Sequence, residues 1–270
     1  MKRYIDCLSR GEISTLAAIR LSTTAHLVAL AAEADPELRA MASGRSFALA
    51  LSAPGLPAAC VSSRGASVRA WSGGEARPVG AGRASLVLRF ASLRAAARTL
   101  GGGVGTPLPL FLGPGAFAAL AFFRAAAARL PSMLEDPSID SAVKARLYAE
   151  AALRGLAEGA ARDPGVEERL RHAPDGSVAV EAVGAFAMGL RKSGRRIELL
   201  PAAPESPNAR LIFRDAETVV AVFSGARPAV VALGASELSI RGFLPLVQGL
   251  FAVLDRLGDY LAVEAKGGSR

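Results

Sequence analysis

ARLIFRDAETVVAVFSGARPAVVALGASELSIRGFLPLVQGLFAVL, residues 209–254, decides the fold. Its first residues, 209–213, have the short apolar pattern of a strand, and 216–224 have the spacing of a short helix stopped at Ser224-Gly225. A second strand reads at 237–240, and Gly242 precedes a long apolar helix. Along that helix Val247, Leu250, Phe251, Leu254, Leu257 and Leu261 recur at spacings of three and four. They form one stripe, with Asp255, Arg256 and Asp259 turned away.

Working outward, the same order of elements occurs earlier in the chain. ASLVLR at 84–89 precedes ARLIFR at 209–214, and LAAEADPELRAM at 30–41 precedes EGAARDPGVEER at 158–169. The ends correspond as well: Arg129-Leu130 stands in one apolar helix where Arg256-Leu257 stands in the other. A repeat of this length in a 270-residue chain implies two domains of ordinary size, 1–135 and 136–270.

The remaining elements are read by comparing the copies. An amphipathic helix is predicted over 138–160. Asp163-Pro164 then starts a short helix, Asp as N-cap and Pro at the first helical position, and Asp35-Pro36 does the same in the first copy. Turn signals follow at Gly44 and at Pro174-Asp175-Gly176. Three short strands then alternate in each copy. In the second they run through Val178 and Val180, then Phe186, Met188 and Leu190, then Ile197 and Leu199; in the first, through Phe47, Leu49 and Leu51, then 59–63, then 68–71. Tight turns between them imply an antiparallel meander with one buried face. Loops containing Gly73-Gly74 and Pro201 lead to the fourth strand of each copy, and a short helix and a last strand complete the set. The closing helix of the first copy is expected to bury Phe117, Leu120, Phe123, Ala127, Leu130 and Leu134. A helix of this kind over a sheet either closes the core or roofs an apolar cavity.

Half of the residues are hydrophobic (51%) and only 6% are aromatic, so the cores rely on Ala, Leu and Val. The charged N-terminal segment is not that of a signal peptide, and no stretch approaches about 20 unbroken apolar residues. A soluble, cytoplasmic protein is expected. Cys7 and Cys60 lack metal-ligand spacing and read as two thiols in a reducing compartment. His26 and His172 stand apart from any acid or nucleophile pattern and read as surface or half-buried residues. LGGGVGTP, 100–107, lacks the Lys and Ser or Thr of a phosphate loop, and no GxSxG or HExxH occurs. No catalytic residue, metal or cofactor is therefore expected.

The formal charge of +8 is uneven. Residues 1–135 hold 15 Lys and Arg against 7 Asp and Glu, whereas 136–270 hold 17 of each. Arg64, Arg69, Arg77, Arg83, Arg89, Arg94 and Arg98 face one acid, Glu75, over their stretch. Such a field suits peripheral contact with anionic membrane lipids, with no specific nucleic-acid partner; an arginine-rich solvated surface is the plainer reading.

Residues 209–254 resemble the sterol carrier protein 2 (SCP2) family of lipid-binding domains, through the succession of strand, short helix at Ser224-Gly225, Leu233-Gly234, strand, Gly242 and apolar helix. Element order extends the resemblance over most of 140–262. The first copy departs from it: its link, Gly102, Gly103, Val104 and Gly105, is shorter, and Gly113-Pro114-Gly115 replaces Ile240-Arg241-Gly242. The resemblance implies two tandem α+β domains, each a mostly antiparallel five-stranded sheet covered on one side by helices, the first degenerate. It also implies a tunnel for a sterol, fatty acyl chain or isoprenoid, and no enzymatic activity. Val247, Leu250, Phe251 and Leu254 would line the cavity, with Phe186 and Met188 from the sheet. The alternatives are a duplicated interaction scaffold with closed cavities, or an accessory factor of isoprenoid-quinone metabolism.

Overall fold

The computed structural model describes residues 5, 8–65, 67–73, 75, 83–200 and 202–265, with side chains as far as Gly258. Cys7, Gly74, Arg77, Pro201 and the side chains of Asp259 and Leu261 lie outside the described residues. The chain divides into two compact units, one over residues 5–137 and one from residue 138 onward.

In the first unit, α1 (Arg10–Ala34) and α2 (Pro36–Ala42) precede strands β1 (Arg45–Ser52), β2 (Ala59–Gly65) and β3 (Ser67–Trp71). Strand β4 (Leu86–Arg89), helix α3 (Leu93–Leu100), strand β5 (Leu108–Phe111) and helix α4 (Ala116–Glu135) follow. The sheet order is β3-β2-β1-β4-β5. All neighbours are antiparallel except β1 and β4, which run parallel with Leu49 opposite Leu86. Strand alternation turns Phe47, Leu49, Leu51, Leu86 and Leu88 to one face, where all are buried.

The second unit repeats this order. It comprises α5 (Ser141–Arg162), α6 (Pro164–Arg171), β6 (Gly176–Ala182), β7 (Phe186–Ser193), β8 (Arg196–Leu200) and β9 (Ala209–Phe213). Helices α7 (Ala216–Phe223) and α8 (Ala229–Gly234), strand β10 (Leu238–Gly242) and helix α9 (Leu244–Ala265) complete it. Its sheet order is β8-β7-β6-β9-β10, with β6 and β9 the parallel pair and Val180 opposite Leu211. Both units are α+β with mixed, mostly antiparallel five-stranded sheets. The six-residue helix α8 lies where the sequence reads only a link.

The closing helices start alike. Gly115 (φ 84°) and Gly242 (φ 87°) are left-handed, and a Cβ at Gly115 would stand 2.6 Å from the Ser46 carbonyl oxygen. At Gly242 it would collide with the Asn208 carbonyl oxygen. Both glycines let the chain turn from the last strand into the helix hard against the sheet.

The buried stripes differ from those expected. In α4 the buried residues are Ala116, Ala119, Phe122, Ala126 and Met133, while Phe117 is 78% exposed and Ala127 is exposed. The line is rotated by one residue: Phe122 packs on Phe47 in the core, and Phe117 stacks on Phe111 outside it. In α9, Leu246, Val247, Leu250, Val253 and Leu257 are buried, and Phe251 and Leu254 are half-buried.

Helices α1 and α4 are long and apolar enough to cross a membrane by length and composition, contrary to the sequence expectation. Most of the apolar part of α1 is core, whereas little of α4 is buried. His26, expected at or near the surface, is buried on α1. Its Nδ1 faces the Ser22 carbonyl oxygen at 2.8 Å and its Nε2 faces Glu75 Oε2 at 3.2 Å. Both ring nitrogens thus face an oxygen. The arrangement ties Ser72 and Glu75 to the core helix, because Glu75 also accepts from the Ser72 amide at 2.6 Å.

Candidate functional site

The second unit holds an apolar cavity between its sheet and α9. The sheet supplies Val178 and Val180 from β6, Leu190 from β7 and Leu211 from β9. Leu153 and Leu156 enter from α5, one turn apart, and Phe223 from the end of α7. Val247, Leu250, Phe251 and Leu254 of α9 close the other side. Every one of these side chains is apolar. The cavity volume is about 20 Å³, room for one or two waters, against roughly 300–1,000 Å³ for a small-molecule site.

Phe186 and Met188 are not among the lining side chains. They share a face of β7 with Leu190, but Met188 stands about 7 Å and Phe186 about 14 Å further along the strand. Met188 is buried opposite Val180, and Phe186 is half-buried opposite Ala182. The lining from α5, β9 and α7 was not singled out from sequence, although the amphipathic pattern of 138–160 carries the signal for Leu153 and Leu156.

The helix over the cavity is held at one end by a polar clamp. Asp163, 5% exposed, caps α6 by accepting from the Gly165 amide at 2.7 Å, and Arg256 of α9 reaches it at 3.7 Å. The first unit has the same clamp: Asp35 accepts from the Glu37 and Leu38 amides at 2.8 and 3.1 Å and from Arg129 Nε at 2.7 Å. Burial by itself would raise the Asp35 pKa. The Arg129 hydrogen bond and the two amides outweigh it and hold the carboxyl below the usual range. The repeated Asp-Pro and the repeated Arg in each closing helix thus meet in space.

Beneath the closing helix the units differ. By strand register Phe47 corresponds to Val178, and with Arg129 matched to Arg256, Phe122 corresponds to Gly249. The Phe47 and Phe122 rings pack 5.2 Å apart, both buried, so aromatic side chains fill that space in the first unit. In the second, a Cβ on Gly249 would collide with Ala173, and Val178 faces the cavity.

Among the described residues no group of three or more His, Cys, Asp or Glu is placed to hold a metal ion. His172 is exposed on the surface, 3.9 Å from Glu168.

No family model matches the chain. No curated protein matches it. Solved structures do. One is a UbiJ-SCP2 ubiquinone synthesis protein, 17% identical, with 41% of this chain and 98% of that chain covered and a TM-score of 0.28. Another is sterol carrier protein 2 like 2 from Aedes aegypti, 12% identical, covering 39% and 94%, with a TM-score of 0.31. A third is the sterol carrier protein domain 2 of Helicoverpa armigera, 15% identical, covering 42% and 89%, with a TM-score of 0.31.

Proposed function

We propose that the second unit binds and carries a hydrophobic lipid of sterol, fatty acyl or isoprenoid type, without catalysis, in the cavity beneath α9. The observation that carries this reading is the lining itself: eleven side chains from every layer of the unit, all apolar. Such a lining binds by removing hydrocarbon from water, at about 0.8 kcal/mol per buried CH₂, and needs no nucleophile or metal. With a volume of about 20 Å³ the cavity is in a closed state, and a lipid enters as α9 moves off the sheet. Eight buried methylenes would return about 6 kcal/mol toward that opening. The resemblance of residues 209–254 to SCP2 domains points to the same class of ligand.

The tight volume also favours a second reading, a scaffold whose cavity stays shut. The two separate on the full-length protein by native mass spectrometry, organic extraction and titration with a fluorescent fatty acid and a fluorescent sterol. Carriage predicts a bound lipid or micromolar probe binding, weakened at least tenfold by Leu250→Trp with the far-ultraviolet circular dichroism unchanged. No lipid in the extract together with no probe binding would sink it in favour of the scaffold.

A further inference from the structure

The face of the first sheet opposite its buried leucines distinguishes the two units. Register places Arg89 beside Leu108, and Arg64 opposite Ser67, with Arg69 on the same side two residues along β3. Arg64, Arg69 and Arg89 are exposed, and no carboxylate pairs with any of them among the described residues. Strand alternation puts Leu108, Leu110 and Leu112 on this face too, in a row along the sheet edge. Leu108 is 61% and Leu112 63% exposed. Trp71, half-buried, lies at the opposite edge.

The second unit is the internal control. In the same ladder positions the leucine row reads Glu237, Ser239 and Arg241, and the residue opposite Arg191, the counterpart of Arg64, is Glu198 instead of Ser67. Arg214, the counterpart of Arg89, bonds Asp215 and Glu237. Arg191 pairs with Glu198 and Arg210 with Glu181. One fold thus carries, in one copy, an outer face whose arginines are interleaved with acids. In the other, leucine, serine and alanine stand where the acids would be.

We propose that this face of the first unit docks on an anionic phospholipid bilayer. Arg64, Arg69 and Arg89 meet lipid phosphates, Leu108 and Leu112 enter the headgroup boundary, and Trp71 sits at the interface, as amphipathic rings do. Pro109 within the edge strand offers no amide for strand pairing, which disfavours addition of a peptide strand there. A nucleic acid would use the arginines but gives no role to the two exposed leucines. Docking is independent of the cavity, because a chain unable to bind lipid cargo would still dock.

The test is co-sedimentation of the full-length protein with vesicles of phosphatidylcholine alone and of phosphatidylcholine with 30% phosphatidylserine, on the order of the anionic content that sets surface potentials in cells. Binding is expected only to the anionic vesicles, and to fall between about 0.05 and 0.3 M salt. Arg64→Gln/Arg69→Gln/Arg89→Gln should lower partitioning about 100-fold, at about fivefold per arginine. Leu108→Ser/Leu112→Ser should lower it at least fivefold with the salt dependence kept, and Arg191→Gln, in the second unit, should leave it within twofold. Far-ultraviolet circular dichroism and thermal midpoint report folding of each variant. Absence of binding to anionic vesicles, or binding indifferent to both the arginine and the leucine variants, overturns the proposal. So does arginine-dependent binding to single-stranded oligonucleotide without vesicle binding.

Discussion

At the scale of single residues, the two aspartates at the helix junctions matter most, because each serves two elements at once. Asp35 satisfies amides at the start of α2 and also the guanidinium of Arg129 in α4, while 3% exposed. Asp35→Ala removes the cap and strands the arginine, and should destabilise the first unit by about 1–2 kcal/mol. Asp35→Asn keeps an oxygen for the amides and should lose less; urea unfolding of the three proteins checks the order. The pH dependence follows from the lowered pKa. Its stabilising share is fully present above the unfolded value near 3.8 and is lost as pH falls through the folded value. The advantage of the native chain over Asp35→Asn should therefore shrink in acid and stay level at neutral pH. The Asp-Pro repeat was legible as a capping signal, but its arginine partner was not. The two lie 94 positions apart, and only the folded closing helix brings them together.

At the scale of elements, what the sequence shows is what local periodicity can carry. The alternation through Val178 and Val180, the capping signals and the glycines before the closing helices all correspond to elements found. The parallel neighbours β1 with β4 and β6 with β9 were not legible, because alternation identifies a strand without saying which strand lies beside it. The stripe of α4 was read from the largest side chains, Phe117 and Phe123. The helix instead buries Ala116, Ala119 and Ala126, and Phe117 stacks at 4.9 Å on Phe111 outside. The cavity lining shows the same limit: the α9 residues belong to one visible stripe, whereas Leu211 and Phe223 join them only through packing. Helix α7 offers a test of its capping. Asp215 accepts from the Thr218 amide at 2.8 Å and hydroxyl at 2.7 Å, and these bonds, with that from Arg214, bring its pKa down to about 2. The contribution is present above pH 3.8 and lost as pH falls through about 2. Asp215→Ala should cost about 1 kcal/mol at pH 7, read from chemical denaturation, and little at pH 2.

At the scale of the whole molecule, one fold used twice has been given two different surfaces and two different interiors. The excess of positive charge lies in residues 1–135, and Phe47 with Phe122 fills the first interior; residues 136–270 balance their charges, and their closing helix covers the apolar cavity. Each unit contains a complete sheet, its own closing helix and its own Asp-Arg clamp. Residues 138–270 expressed alone should then unfold in a single transition, with an enthalpy of about 90 kcal/mol near 60 °C and agreement between calorimetric and van't Hoff values. If cavity and docking face are separate functions, this fragment should retain fluorescent fatty acid binding within twofold while losing affinity for anionic vesicles. A fragment that shows no cooperative transition would mean that the shared sheet order does not make two self-sufficient domains. A fragment that folds and still binds vesicles as the full chain does would place the membrane contact outside the arginine face, since that face leaves with residues 1–137.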